Sequence, residues 1–434
     1  MTKTVESNLR RVLVLSFIFL ILISFFGCGR KTVSPSSQGS QDTQATAEQM
    51  EEKFGRKVIT VLMDLPIHRR MGSDELQKSL AGLSGYEQDF MVLTESIPEN
   101  GVERSTALTR IRTEIMAGKG PDLFICAQRA SIDDTPFFNF PVKAMSNHIF
   151  MQLDDYIEKA EYMEWDKLQP VVMAAGKNSE GQQILPLTYT FNATFFDNTY
   201  TPENQLPMAW EEMIGDQDLN IRVSACFADM GDIIGSLADY DKDIPAFSED
   251  ELKTLMAKQI AACRSIPEKM AMEERPPMPI IDLQNLSFAD ISLEKDQEYT
   301  IIPAYNLSGG ITANITTFAA INRNTRYPDE AFRIIDYLLS AGVQQTSPIF
   351  QDRMEGLPVY VDTGNESTPS SSAWKMNETN FKQIYEAQKQ INIAKFPGPL
   401  DMCIKEVRAS RDDKELEKKA HEQYVLMEML LAES

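Results

Sequence analysis

Short apolar runs and segments with helical periodicity alternate along the chain. Residues 58–63, 90–94 and 123–127 are mainly apolar runs of strand length. Residues 105–116, between the last two runs, place apolar side chains at helical spacing before two glycines end the pattern. Strands that alternate with helices predict an α/β fold with a largely parallel sheet.

The alternation continues through the rest of the chain. The pattern predicts strands at residues 184–191, 221–227, 299–305 and 315–322, and helices at residues 153–160, 248–266 and 328–340. Helices are predicted to dominate from residue 373 to the end. No internal repeat and no phosphate-binding glycine motif is present in the sequence.

The N-terminal segment has the pattern of a secretory signal. Two arginines precede an apolar run over residues 12–26, which is shorter than the roughly 20 residues of a membrane-spanning helix. Residues 1–27 are therefore predicted to be a signal peptide. Gly27 and Cys28 resemble the lipobox of bacterial lipoproteins. That resemblance implies lipid on Cys28 and an anchored position on the extracellular face of the bacterial cell membrane.

Two features qualify the anchor. Phe25 and Phe26 depart from the lipobox, which prefers leucine and a small residue there, so the cleavage site is left open. Residues 28–50 are predicted to be a flexible leash, because their Ser, Gln, Thr and Ala composition cannot bury enough apolar surface to offset chain entropy.

Composition narrows the function classes. The 434 residues carry a formal net charge of −22, and 43% of them are hydrophobic. An acidic surface repels the phosphates of nucleic acid, so DNA and RNA binding are excluded. The length after the leash is enough for two domains with a substantial core.

Cysteine and histidine use indicates neither a metal site nor a local catalytic set. Apart from Cys28, the chain has Cys126, Cys226, Cys263 and Cys403, and none has the spacing of a zinc or redox motif. Buried free thiols are favoured, although four cysteines allow three pairings and the choice is left open. The chain has 3 histidines, which are widely separated. No catalytic residue, metal ligand or cofactor is therefore predicted.

Several phrases, in this order, resemble the extracellular solute-binding proteins of ABC importers, in the group that includes maltose-binding protein. The matching phrases are a Gly-rich Pro-Asp turn before a strand (residues 115–124), an acidic helix start (153–157), a crossing strand (184–187 with 196–198), a Pro-x-x-Trp-Glu-Glu helix start (207–212), and a strand with its following helix (318–322 with 328–339). Phe196 stands where the group usually has tyrosine, and Asp197 where it has asparagine.

The resemblance implies a two-lobed α/β fold with a hinge and an interlobe cleft. The N-lobe is predicted to comprise residues 51–190 and 306–345, and the C-lobe residues 191–305 and 346–434. A solute would bind in the cleft, close the lobes, and pass to membrane permease subunits.

Polar and aromatic residues at strand ends are the candidates for holding the solute, since such groups face the cleft in folds of this kind. The candidates are Asp64, Gln128, Arg129, Tyr189, Thr190, Tyr305, Ser308 and Trp374, with Asp401 in the turn at residues 396–402, which resembles the group's last ligand-contacting turn. Each also has a structural interpretation, such as a turn cap for Asp64 or a core aromatic for Tyr189.

Neutral polar groups with aromatic faces suit a carbohydrate, because C–H faces stack on rings while hydroxyls form hydrogen bonds. Arg129 would also suit an anionic solute. The alternatives are an exported glycan-active hydrolase, which needs a carboxylate pair or a triad, and a surface adhesion protein, which would favour repeats or all-β patterning.

Overall fold

The computed structural model describes residues 43–64, 73–98, 101–128, 136–202, 206, 209–266, 278–282, 298–347, 356–361 and 378–434. Within these ranges, no helix combines the length and apolar character needed to cross a bilayer. The signal peptide and Cys28 lie outside the described residues.

Helices and strands alternate up to the first crossing between sheets. The elements are α1 (Thr43–Phe54), β1 (Lys57–Asp64), α2 (Ser73–Leu80), β2 (Phe90–Ser96), α3 (Gly101–Met116), β3 (Leu123–Ala127), α4 (Pro141–Ser146), α5 (Asp154–Ile157), a 3₁₀ turn (Trp165–Lys167), α6 (Pro170–Ala174), β4 (Lys177–Asn178), β5 (Gly181–Gln182), β6 (Ile184–Thr190) and β7 (Asn192–Asp197).

The remaining elements are mainly helical. They are α7 (Trp210–Ile214), α8 (Leu219–Phe227), α9 (Met230–Ile234), β8 (Ala238–Asp239), β9 (Ile244–Pro245), α10 (Glu249–Arg264), β10 (Met278–Asp282), β11 (Tyr299–Pro303), β12 (Ile311–Ile321), α11 (Pro328–Leu338), α12 (Ala341–Thr346), β13 (Leu357–Pro358), α13 (Glu378–Gln388), β14 (Ile391–Lys395), α14 (Pro399–Arg408) and α15 (Asp413–Ala432).

The main sheet is mixed rather than largely parallel. Its strand order is β13-β6-β12-β3-β1-β2, and β14 also pairs with β12. β1 runs parallel to β2 and β3, as the alternating pattern predicted. β12 runs antiparallel to β3 and β6, and β13 runs antiparallel to β6. Strand direction depends on the path of the connecting chain, which a local hydrophobic pattern does not encode.

The chain crosses between the main sheet and a second sheet after β6 and again between β11 and β12. β6 belongs to the main sheet, and β7, which begins two residues after β6 ends, belongs to a second, antiparallel sheet of order β10-β7-β11. The long strand β12 pairs with β14 at residues 311–314 and with β3 at residues 317–321. From the predicted N-lobe, β1, β2, β3, β6 and β12 share the main sheet, whereas β4 and β5 pair only with each other. β13 and β14, predicted in the C-lobe, also pair with strands of the main sheet.

The core follows from continuous apolar strands covered by helices. β1 is buried at every position after Lys57, the pattern expected of a strand with both faces covered. Helix α3 buries Leu108, Ile111 and Ile115. Gly120, at a φ of +96°, lies in the turn that leads from α3 to β3.

The prediction of a strand over residues 221–227 was wrong, because this segment lies in helix α8. The Asp218 side chain accepts a hydrogen bond from Asn220 N at 2.9 Å and caps the helix. In a short apolar run, periodicity alone does not distinguish a buried strand from a buried helix. The run is buried because α8 packs beneath Trp210, whose Nε1 donates to Ala225 O at 3.0 Å.

Helix α1 covers the last residues of the segment predicted to be a leash. Ala47 is buried, and the Gln44 side chain donates to Gly120 O at 3.3 Å. The alanines and glutamates of residues 43–52 favour a helix, and packing against β1 and β2 stabilises it. Residues 43–50 of the predicted leash are therefore helical.

Candidate functional site

A cavity of about 120 Å³ lies where the chain segments after β3, α9 and β14 meet. Three segments form its walls: Asn139, Phe140 and Val142 at the start of α4; Ser236, Leu237 and Tyr240 after α9; and Ile393 to Phe396, Gly398, Leu400 and Asp401 around the turn from β14 into α14, with Ala175 completing the lining.

Helix starts fix two of the walls. Proline occupies the first turn of both α4 and α14, where its restricted φ suits a helix and its missing N–H costs nothing. Asp401 Oδ2 accepts a hydrogen bond from Gly398 N at 2.8 Å, which closes the first turn of α14. A Cβ at Gly398 would lie 3.0 Å from Asn139 O, so glycine allows the two walls to approach closely.

Two aromatic rings, from two different lining segments, lie at the cavity and contact each other. The ring centroids of Phe140 and Tyr240 are 6.4 Å apart, at an interplanar angle of 64°. Burial raises the pKa of the Tyr240 phenol, so its hydroxyl stays protonated and available as a donor. Lys143 Nζ donates to Tyr240 O at 3.3 Å and forms an ion pair with Asp243, which joins the two walls.

A buried charge cluster closes the third side. Lys395 Nζ lies 2.5 Å from Asp401 Oδ1 and 3.2 Å from Asp232 Oδ1. The side chains of Lys395, Asp401 and Asp232 are only 11%, 8% and 6% exposed. Burial opposes the charge on Lys395, but the aspartates outweigh it and raise the pKa of its ammonium group. Lys395 and Asp401 line the cavity, whereas Asp232 stands behind them.

Asp232 is held by amides as well as by the lysine. Asn314 Nδ2 donates to Asp232 Oδ1 at 2.9 Å, and Asn192 Nδ2 donates to Oδ2. Burial raises the pKa of Asp232 to about 6, with Asp229 and Asp401 adding to the rise while Lys395 and Asn314 oppose it. The cluster therefore changes charge within the mildly acidic range.

Gly231 allows helix α9 to abut this cluster. A Cβ at residue 231 would lie 2.8 Å from Asp401 Oδ1 and 3.1 Å from Lys395 Nζ. A side chain there would push against the tips of the lysine and its carboxylate partner, so glycine allows the close approach.

Asp64 and Gln128, predicted as solute contacts, are both buried and hydrogen-bonded inside the protein. Asp64 forms a two-pronged ion pair with Arg104, with both N–O distances at 2.9 Å, and also accepts from Phe137 N at 2.8 Å. Gln128 Nε2 donates to Pro397 O at 2.8 Å, immediately behind the cavity wall, while its Oε1 is buried with no hydrogen-bond partner among the described residues.

The candidates on the crossing strands lie away from the cavity. Tyr189 and Thr190 are fully buried in β6, and the Tyr189 hydroxyl lies near Gln169 without a hydrogen bond of normal geometry. Tyr305 is buried before β12. Ser308 is exposed, and its hydroxyl donates to Asn306 Oδ1 at 2.8 Å in a turn.

Arg129 and Trp374 lie outside the described residues. Among the predicted candidates that are described, only Asp401 lines the cavity. The other predicted contacts stay predictions.

Sequence reasoning missed Phe140, Tyr240, Lys395 and Asp232. The turn at residues 396–402, noted in the sequence, was the one local signal that pointed to this place. Over the described part of the chain, no three His, Cys, Asp or Glu side chains form a group that could hold a metal ion.

Comparison with known proteins identifies the fold. No family profile matches the sequence, and no curated protein sequence matches it either. An extracellular solute-binding protein of family 1 from Alicyclobacillus acidocaldarius superposes with a TM-score of 0.55 at 14% identity, covering 87% of this chain and 98% of that chain. A periplasmic oligogalacturonide-binding protein from Yersinia enterocolitica gives 0.57 at 12% identity, with coverages of 87% and 99%.

A third similar structure is the cyclic α-maltosyl-1,6-maltose-binding protein of Arthrobacter globiformis, with a TM-score of 0.54 at 14% identity and coverages of 86% and 99%. The fold is therefore that of the two-lobed solute-binding proteins, as the sequence phrases predicted. At these identities the likeness establishes the fold, and the solute has to be argued from this chain's own residues.

Proposed function

We propose that this protein is the solute-binding component of an ABC importer and that it captures a carbohydrate in the cavity between Phe140, Tyr240 and Lys395. Its fold is that of proteins whose names record oligogalacturonide or cyclic maltosyl-maltose as ligands, which supports the proposal.

The observation that carries the proposal is the meeting of two aromatic rings with a charged hydrogen-bonding group at one cavity. Ring faces accept the C–H side of a sugar, while Asp401 accepts from hydroxyl groups and Lys395 donates to them.

The size of the cavity bears on the mode of capture. Pockets for small molecules are typically at least about 300 Å³, whereas this cavity is about 120 Å³. Anything larger than a small sugar unit therefore requires the walls to separate, which a hinge at β6–β7 and β12 would allow. The Lys143–Asp243 ion pair and the Phe140–Tyr240 contact would break on opening and re-form around the solute.

The same proposal includes the route of export and delivery. A lipid on Cys28 would hold the protein on the extracellular face of the membrane, and residues 29–42 would separate that anchor from α1. Closed and open forms would present different surfaces to the permease subunits. Metabolic labelling with a radioactive fatty acid tests the anchor: we expect incorporation in the wild type and none in Cys28→Ser.

A thermal-shift screen tests the carbohydrate proposal. The protein without residues 1–27 is heated with a panel of mono- and oligosaccharides, peptides and organic anions. A solute that binds the folded state stabilises it by mass action, by about 3 kcal/mol at a hundredfold excess over Kd. The melting temperature rises as a result. If a peptide or an anion raises it and no sugar does, the carbohydrate proposal is wrong.

One observation favours a second candidate, an exported glycan hydrolase. Asp232 has a carboxyl pKa of about 6 close to a second carboxylate, Asp401, and such pairs serve as acid and base in glycosidases. Both carboxylates, however, are held by Lys395. Release of reducing ends from any sugar that binds would establish the hydrolase; binding without release supports the importer component.

A further inference from the structure

Two cysteines outside the cavity meet at the ends of neighbouring helices. Cys226 lies in the last turn of α8, and Cys263 lies in the last turn of α10. The Cys263 thiol donates a hydrogen bond to Cys226 O at 3.3 Å. Both are free thiols in this structure.

The two thiols differ in exposure and acidity. Cys226 is fully buried, whereas Cys263 is partly exposed. The hydrogen bond from the Cys226 thiol, assisted by the Arg408 guanidinium, lowers the pKa of Cys263. The same thiol contact and burial raise the pKa of Cys226.

Arg408 Nη2 is anchored beside these two cysteines, because it donates to Cys226 O at 3.1 Å. A partly exposed thiol of lowered pKa is the reactive kind.

We propose that Cys226 and Cys263 form a reversible disulfide by exchange with a disulfide donor, either a small molecule such as oxidised glutathione or an oxidoreductase, and that this bond ties α8 to α10. The proposal is independent of the solute and of the importer function.

The exchange balances in two steps. The Cys263 thiolate attacks one sulfur of the donor R–S–S–R, forms a mixed disulfide and releases one thiolate RS⁻. Cys226 then loses its proton and attacks Cys263 Sγ, which releases the second RS⁻ and forms the internal bond. The two cysteine sulfurs are oxidised, the two donor sulfurs are reduced, and the protons from the cysteines end on the two released thiols.

The other two described cysteines provide the contrast. Burial, together with Asp64, raises the pKa of Cys126, and burial raises that of Cys403 to about 11; no second thiol contributes to either shift. Both are buried. They should therefore resist exchange while the protein is folded.

The test exposes the folded, reduced protein to oxidised glutathione, alkylates the remaining thiols and identifies linked peptides by mass spectrometry. We expect a Cys226–Cys263 linkage, with Cys126 and Cys403 alkylated only after unfolding. The bond should raise the melting temperature by about 5 °C, because it lowers the conformational entropy of the unfolded chain.

Variants separate the two roles. Cys226→Ser should stop at a glutathione adduct on Cys263, and Cys263→Ser should remain unmodified, since Cys226 is buried. Arg408→Gln should slow adduct formation several-fold, and Cys403→Ser should leave the linkage intact. The proposal is overturned if folded protein keeps both thiols after prolonged exchange, if the linkage includes Cys126 or Cys403, or if the bond forms without raising the melting temperature.

Discussion

Two buried groups of charges show that a charged side chain at the end of a strand does not by itself make a binding site. Asp64 is the last residue of β1 and faces one arginine, which occupies both of its oxygens at 2.9 Å, and Phe137 N adds a third bond. Lys395 is the last residue of β14 and faces two carboxylates at the edge of a cavity. The Asp64–Arg104 pair is neutral and enclosed, whereas the Lys395 cluster has an excess of negative charge and lies next to the cavity.

The difference identifies what each group does. Arg104 and Phe137 N occupy the oxygens of Asp64, so we expect Asp64 and Arg104 to hold α3 against the sheet and not to contact a solute. Under the proposed function, the unequal cluster at the cavity offers oxygen atoms and a lysine to the hydroxyl groups of a solute. The predictions below test this contrast.

The largest effect is expected from Arg104→Met. Removing one partner leaves the Asp64 carboxylate buried and unpaired, which should lower the free energy of unfolding by about 3–5 kcal/mol. Urea denaturation measures it. Arg110→Met is the matched control on the same helix: Arg110 is 28% exposed and pairs with Glu95 and Glu114 near the surface, so its loss should cost less than about 1 kcal/mol. Similar costs for the two variants would contradict the structural role of the Asp64 pair.

A smaller effect is expected from pH acting on Asp232. Its folded pKa of about 6 lies above the ordinary value for aspartate, so its contribution to stability is present at about pH 4 and is lost as the pH rises through about 6. Between those values the wild type should lose on the order of 2 kcal/mol more than Asp232→Asn. Parallel urea curves at the two pH values measure this, and identical pH slopes in both proteins would refute it.

Binding should depend on Tyr240. Tyr240→Ala removes one of the two rings that flank the cavity and should weaken binding of the sugar found by thermal shift at least tenfold, or about 1.4 kcal/mol. Isothermal titration calorimetry measures the affinity. An unchanged Kd would place the sugar elsewhere on the molecule.

The smallest effect is expected from Tyr189→Phe. Its buried hydroxyl has no well-formed partner, so removal should change the free energy of unfolding by less than about 1 kcal/mol. Sugar affinity should stay within about twofold of the wild type, because Tyr189 does not line the cavity. A large loss of affinity would instead support Tyr189 as a ligand contact, as the sequence predicted.

Much of the fold could be predicted because its signals are local. The strands β1, β2 and β3 and the helix α3 were predicted nearly as they occur, since continuous apolar runs and helical spacing are properties of a few adjacent residues. Residues 221–227 show the limit of this reasoning: a short, mostly buried run has no clear period that separates helix from strand. The mixed direction of the sheet was hidden for a related reason, because β12 owes its direction to the path of the chain.

The candidate site was predicted less well than the fold. Asp64 and Gln128 do end strands, as expected, but their partners Arg104 and Pro397 decide whether their polar atoms are free. In the sequence, Tyr240 and Lys395 have no local motif that distinguishes them from the other tyrosines and lysines of the chain. Only the turn that contains Asp401 combined a local signal with a position at the cavity.

The sequence by itself determined the α/β class, the two-lobed fold through its ordered phrases, and the burial of most cysteines. Each of these rests on hydrophobic patterning or on short motifs that are read within one segment. The tertiary structure decided which charged groups are enclosed by their partners and which lie at a cavity. Asp232, Lys395 and Asp401 meet only when α9, β14 and α14 pack together. The tertiary structure also brought the Cys263 thiol to Cys226, a contact that depends on how α8 and α10 end side by side.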